Sequence, residues 1–269
     1  MLSPWNKYLG FFCRPAAALM LAGSLVFPGN AMAEGLPFSP GEEIHYDVKW
    51  QMYKAGEAVV KVLPFEEKKG GPAWHFELSA TTNRFLDTFF KVRDHIQGFV
   101  ARDFSGSVGY GYSGRGKKKK EIQVTFFPKT STAAYSNFEE KREPIKIPRG
   151  CFDPMSSYFK MRTFDLVEGQ TLSFPITDGK KTFLQKGDIL GKEKLKLKSG
   201  TYDTLVIAPY VNHFSGVFEE SEDPTVRVWI TDDERHIPVR IKVQVVVGSI
   251  YLDLRSYVPG QKFRAQKEK

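Results

Sequence analysis

From residue 44 onward, apolar and polar side chains alternate. Ile44, Tyr46, Val48, Trp50 and Met52 share one face of an extended chain, and His45, Asp47, Lys49 and Gln51 share the other. A period of two is the pattern of a strand covered on one side. Trp74, Phe76, Leu78 and Ala80 alternate with His75, Glu77 and Ser79, and Ile122, Val124 and Phe126 alternate with Gln123 and Thr125. Leu205 and Ile207 do so more weakly against Val206 and Ala208. Gly70-Gly71, Asp178-Gly179 and Ser199-Gly200 stand between such runs, where glycine admits the positive φ of a tight hairpin.

One segment carries a clear helical period, in CFDPMSSYFKMRTFDL. Asp153 is a good N-cap, Pro154 suits the first helical position, and Met155, Tyr158, Phe159 and Arg162 recur along one face. A shorter helical turn is expected within Asn83–Phe90. The pattern therefore predicts a mainly β fold, one curved antiparallel sheet or half-open β-barrel, with one packed helix near 153–164 on its concave side.

The charged stretch VWITDDERHIPVR interrupts this alternation. Val226, Val228 and Ile230 point one way before it, and Val239, Ile241, Val243, Val245 and Val247 point one way after it. Thr231 to Pro238 is then a hairpin connection, its acids bonding local backbone and Pro238 holding His236-Ile237 extended. Asp232 and Asp233 are expected to serve the turn rather than an ion site.

The first 33 residues have another grammar. Lys7 and Arg14 precede the apolar run AAALMLAGSLVF, and Ala31-Met32-Ala33 precedes Glu34. This is the pattern of a cleavable signal peptide, so export and a periplasmic location are expected, with a single β domain over 34–260 and a basic disordered tail over 261–269. No later run reaches the ~18 apolar residues of a membrane-spanning helix. Cys13 leaves with the leader and Cys151 stays alone, so no internal disulfide is expected.

Composition narrows the chemistry. The 269 residues are 41% hydrophobic, enough for a real core, and carry a formal net charge of +8. In an exported protein that surplus suits an anionic membrane or polysaccharide surface rather than nucleic acid, and Lys117–Lys120 concentrate it. His45, His75, His95, His213 and His236 are scattered with no metal-ligand spacing and are expected to be solvated. The pairs Glu42-Glu43, Glu139-Glu140, Glu219-Glu220 and Asp232-Asp233 point to opposite faces of a strand and cannot share a proton as neighbours. No G-x-S-x-G elbow is present. Cys151 lies where a helix dipole could activate it, although a packed thiol is the simpler reading. No catalytic residue, metal or cofactor is expected.

Gly41-Glu42-Glu43-Ile44-His45-Tyr46-Asp47-Val48-Lys49-Trp50, with Ala55-Gly56-Glu57-Ala58 following, resembles the opening of the bacterial family called domain of unknown function 3108. Asp153-Pro154-Met155-Ser156-Ser157-Tyr158 with Arg162, Gly200-Thr201-Tyr202-Asp203-Thr204, and Trp229-Ile230-Thr231-Asp232-Asp233 with Ile237-Pro238-Val239 fit the same family in the same order. The resemblance implies an exported Gram-negative envelope protein and brings no activity with it. With aromatic residues at 14%, a concave β groove would suit a lipid or other amphiphile, contacted by Arg162, Tyr158 and Trp50; alternatively, a helix face packed on the sheet carries Arg162 into a partly buried setting that calls for a carboxylate or backbone carbonyl partner within the chain. The alternatives are a structural or interaction module whose apolar faces are consumed by its own core, and a hydrolase acting on cell-wall or glycan material.

Overall fold

Alternation becomes a meander in the computed structural model, described here for residues 35–88, 91–115, 119–210, 225–245 and 248–262. The expected signal peptide, His213, Glu219-Glu220, Lys117-Lys118 and the segment beyond Lys262 lie outside those residues. The first run of strands is β1 (Glu43–Trp50), β2 (Tyr53–Lys68), β3 (Gly71–Thr82), β4 (Arg93–Ala101), β5 (Ser107–Arg115), β6 (Lys119–Phe127), β7 (Thr132–Asn137), and the short β8 (Glu140–Lys141) and β9 (Ile145–Lys146). The helical turn α1 (Arg84–Asp87) lies between β3 and β4, capped by Asn83, and α2 (Pro154–Arg162) follows β9. The second run is β10 (Thr171–Thr177), β11 (Thr182–Leu197), β12 (Gly200–Pro209), β13 (Thr225–Thr231), β14 (Pro238–Val245) and β15 (Gly248–Val258).

The two runs form a single open antiparallel sheet, ordered β10-β11-β12-β13-β14-β15-β1-β2-β3-β4-β5-β6-β7-β8, with β9 beside β7. They are joined in the middle, where β1 pairs with β15. The sheet rolls up without closing into a barrel. Its β10–β11 turn reaches β6 and β7, and a Cβ on Gly179 would stand 2.8 Å from a Val124 methyl and 3.2 Å from the Tyr135 Cβ. Gly179 also has φ +83°, so both the turn and the close approach require glycine.

Helix α2 fills the concave side. Phe159 stacks on Phe76 with ring centroids 3.8 Å apart, and Phe38 meets Trp74, Phe76, Phe104 and Phe159 within 5.6 Å. Ile44, Tyr46, Val60, Val100, Met155 and Ile176 belong to the same buried cluster. Gly98 lets the N-terminus of α2 lie directly on β4, since a Cβ there would come within 2.6 Å of Ser156 Oγ and 3.0 Å of Asp153 Oδ1. A parallel bridge from Phe152 to Ile176 ties the entry of α2 to β10.

Four local expectations are corrected by this architecture. Met52 does not share the covered face with Ile44 and Tyr46, because β1 ends at Trp50 and Met52 stands in the turn. Val239 and Ile241 do not point the same way. A bulge opposite Trp229/Ile230 inserts Val239 into the main core, while Ile241 packs on the cluster of Leu172, Ile189, Leu205, Ile207, Val228 and Ile230. His236 is not extended but left-handed, at φ +45°. Residues 261 and 262, at the start of the expected disordered tail, are held to the domain, since Gln261 N donates to Pro40 O and Lys262 N to Ser39 Oγ.

Candidate functional site

The densest polar cluster forms where α2 ends. Arg162 is the last residue of α2 and is wholly buried at 0% exposure. Its guanidinium lies on the buried carboxylate of Glu42, with Nη1 at 2.6 Å from Oε1 and Nη2 at 3.2 Å from Oε2. Nη2 also donates to Pro37 O and Arg235 O, and Nε donates to Arg235 O. Tyr257 adds a hydroxyl to Glu42 at 3.1 Å. Burial pulls the Arg162 pKa down, but the Glu42 carboxylate against it prevails and raises it, so the guanidinium stays charged.

Tyr158, one turn earlier, belongs to a buried hydroxyl chain. Tyr46 Oη donates to Pro238 O at 2.6 Å, so Tyr158 must be the donor in the 2.8 Å contact between the two phenols. Burial raises the pKa of both well above the usual tyrosine value.

The acidic loop closes over this end of the helix. Asp233 Oδ1 accepts from Thr231 Oγ1 at 2.8 Å and from Arg235 N at 3.0 Å, its Oδ2 holds the Arg235 side chain, and Ile237 N donates to Thr231 Oγ1. Burial would raise the Asp233 pKa, but the bonds from Arg235 and Thr231 outweigh it and lower the value. Asp232 reaches out to Lys192 at 2.5 Å. His236 Nδ1 lies 2.8 Å from Arg162 O, which requires the proton on Nδ1 and caps the last carbonyl of α2. The loop is thus a hairpin turn and also a clamp: Arg235 supplies a carbonyl to the Arg162 side chain, and His236 a donor to its main chain. Replacing Asp232 and Asp233 together by Asn is expected to cost about 1–2 kcal/mol, read from the urea midpoint, because the amide keeps the acceptor for Thr231 and Arg235 N but loses the partly exposed ion pairs with Arg235 and Lys192. Chelators are expected to leave the wild-type melting temperature unchanged.

A cleft of about 380 Å³ lies beside the clamp, lined by Arg162, Phe164, Asp165, Asp232, Glu234 and His236 among others. Among the described residues, no group of three or more His, Cys, Asp or Glu side chains converges as metal ligands would. A second cleft, of about 660 Å³, is lined by Lys91, Arg93, His95, Ser113, Arg115 and Lys119.

The three residues expected to share one ligand are only partly brought together. Arg162 reaches Glu42, just before β1, and Tyr158 reaches Tyr46 within it, whereas Trp50 ends that strand, roughly 13 Å beyond Tyr46 and 26 Å beyond Glu42 at ~3.3 Å per residue. Other expectations on chemistry also change. His75 is not solvated: it stacks on Phe99 at 4.5 Å, contacts Gln97 and Glu66, and burial lowers its pKa. His45 and His95 pair with Glu43 and Glu77. Cys151, by contrast, is the packed thiol that the sequence favoured, as burial, with Asp153 nearby, pushes it up to about 12. Glu42, the partner of Arg162, was not singled out from the sequence, although a signal existed. It stands in phase with Ile44 and Tyr46, so an acid at that position faces the core.

The family model described as protein of unknown function (DUF3108) matches residues 45–255. The chain belongs to this family. The match takes in β2 to β14 and α2 whole, and most of β1 and β15. Among solved structures, the β-barrel-like protein of domain of unknown function DUF1849 from Brucella abortus is similar, with a TM-score of 0.53 at 8% identity over 82% of this chain and 98% of that one. That similarity shows the fold alone. No match is found among curated proteins.

Proposed function

We propose that this DUF3108 chain is an exported, non-enzymatic protein of the cell envelope that acts through its outer surfaces. The observation that carries this reading is the filled interior. Phe38, Trp74, Phe76, Phe152 and Phe159 occupy the concave side of the sheet, and α2 is anchored there by buried polar contacts at both ends. Both clefts lie outside that core and are lined largely by charged side chains. Support for export comes from Lys7, Arg14, the apolar run and Ala31-Met32-Ala33.

The half-open sheet favours a second reading, in which a lipid or other hydrophobic envelope ligand displaces α2 from the concave β groove. That displacement would break the Arg162–Glu42 pair and uncap Asp153. Organic extraction and mass spectrometry of the purified, exported protein separate the two. The surface-acting reading expects a mature chain beginning at Glu34 with no stoichiometric lipid. One amphiphile per chain would overturn it in favour of the groove.

A further inference from the structure

Alternate turns of a meander emerge at the same end of its sheet, so the β1–β2, β3–β4 and β5–β6 connections share one end. The geometry points to that end as a docking surface for an anionic lipid bilayer.

Its tip is apolar and exposed. Trp50, Met52 and Tyr53 are 39%, 85% and 71% exposed in consecutive positions around Gln51. The turn is firmly set: Gln51 takes φ +54°, and its N–H donates to Ser249 O at 2.7 Å. Asn83, in the β3–β4 connection, holds the tip from its side, donating through Nδ2 to Lys54 O at 2.6 Å and through N to Ala55 O at 2.8 Å. From there Asp87 pairs with Arg93, at 2.6 Å between Nη2 and Oδ2. Arg93 opens onto the basic cleft with Lys91, His95, Arg115 and Lys119, and no carboxylate is among the described residues lining it. Glu121 is the acid that follows on β6, one register step beyond Lys120 and opposite Ser113.

An apolar prow of Trp, Met and Tyr with lysines and arginines on its flank matches the layered chemistry of a bilayer. Amphipathic aromatic rings settle at the headgroup level, and cations meet the anionic headgroups. Charge decides against a second copy of this chain as occupant, because a chain whose net charge stays at +6 once Lys7 and Arg14 leave with the leader would bring the same basic flank against itself. The proposal extends the surface-acting reading and rests on it only for export. Lipid extraction tests the interior and vesicle binding tests this end, so the two can fail separately.

The test is co-sedimentation of the purified, exported protein with phosphatidylethanolamine vesicles containing about one third phosphatidylglycerol, against phosphatidylcholine vesicles. Anionic vesicles are expected to bind at least tenfold more tightly, with affinity falling as salt shortens the ~8 Å screening length of 0.15 M. Trp50 reports the contact, since Trp74 and Trp229 are buried at 2% and 7%. A blue shift of emission on binding is expected in the wild type and should vanish in Trp50→Phe. Met52→Asp with Tyr53→Asp, and separately Lys91→Glu with Lys119→Glu, alter exposed side chains, so each pair should melt normally and lose tenfold or more in affinity. Failure to bind, or binding indifferent to both pairs, overturns the proposal. So does equal binding of soluble polyphosphate that survives the Met52 and Tyr53 changes, since that would mark an anion binder rather than a membrane-docking protein.

Discussion

Arg162→Met is expected to lower the unfolding free energy by about 3–5 kcal/mol, read from denaturant midpoints. Methionine keeps the length and apolar stem of the side chain but deletes the charge, leaving Glu42 as a buried carboxylate with only the Tyr257 hydroxyl still donating to it. The large loss belongs to the abandoned partner, not to the strength of the pair. Adding Glu42→Leu to Arg162→Met should therefore recover more than half of the loss, as a buried ion pair replaced by apolar groups of similar volume is often neutral. If the double variant is instead the sum of two large losses, the two side chains are not coupled and the Arg162 environment has another basis.

Asp153→Ala is expected to cost about 3 kcal/mol. Its Oδ1 accepts from Met155 N at 2.8 Å and Ser156 N at 2.9 Å, and its Oδ2 accepts from the Ser107 and Ser156 hydroxyls at 2.6 Å and 2.5 Å. Losing a helix cap costs about 1 kcal/mol, and stranding buried donors adds the rest. Asp153→Asn keeps the shape and exposes a pH dependence. Burial raises the Asp153 carboxyl from 3.8 to about 6, against the opposing bonds from Ser107, Ser156 and Met155. Between those values the folded chain holds a proton that the unfolded chain has released. The stabilising contribution of this group is therefore fully present below about pH 4 and is lost as pH rises through about 6. The stability of wild type minus that of Asp153→Asn should accordingly fall by about 2–3 kcal/mol from pH 4 to pH 7. Taking the difference removes Asp233 and Asp253, whose lowered values act in the opposite sense. A difference that stays level with pH would show that burial does not raise the Asp153 pKa.

The strands were legible wherever one face is buried and the other wet, as at Ile44–Trp50 and Trp74–Ala80. Where both faces are buried the signal weakens for a physical reason. On β12 and β13, Leu205, Ile207, Val228 and Ile230 enter one cluster while Val206 and Trp229 enter another, so apolar residues run together. Helix α2 was legible from its cap and Pro154, both local features. The bulge at Val239 was not, because an extra residue in a strand leaves no mark in composition. The pairing of Arg162 with Glu42 joins residues 120 apart. Each could be recognised as a charge in phase with apolar neighbours, but nothing local names the partner. A charge on the packed face of α2 calls for a partner, and the sequence leaves that partner open between a group within the chain and a ligand outside it; Glu42 fills the first role.

The pairing of β1 with β15 sets the order in which the molecule can be made. β1 pairs with β2 at once but finds its second neighbour only in β15, with Glu43 opposite Val258, so the two halves of the sheet have no seam to join until β15 has been made. Contacts this distant in sequence slow folding, and the exposed edge of β1 must be kept from other chains in the meantime. The same seam brings residues 40 and 261 together, since Gln261 N reaches Pro40 O at 3.0 Å. A circular permutant that joins them and opens in the link between β9 and α2 would make the central pairing local, and should fold faster than the natural order of strands.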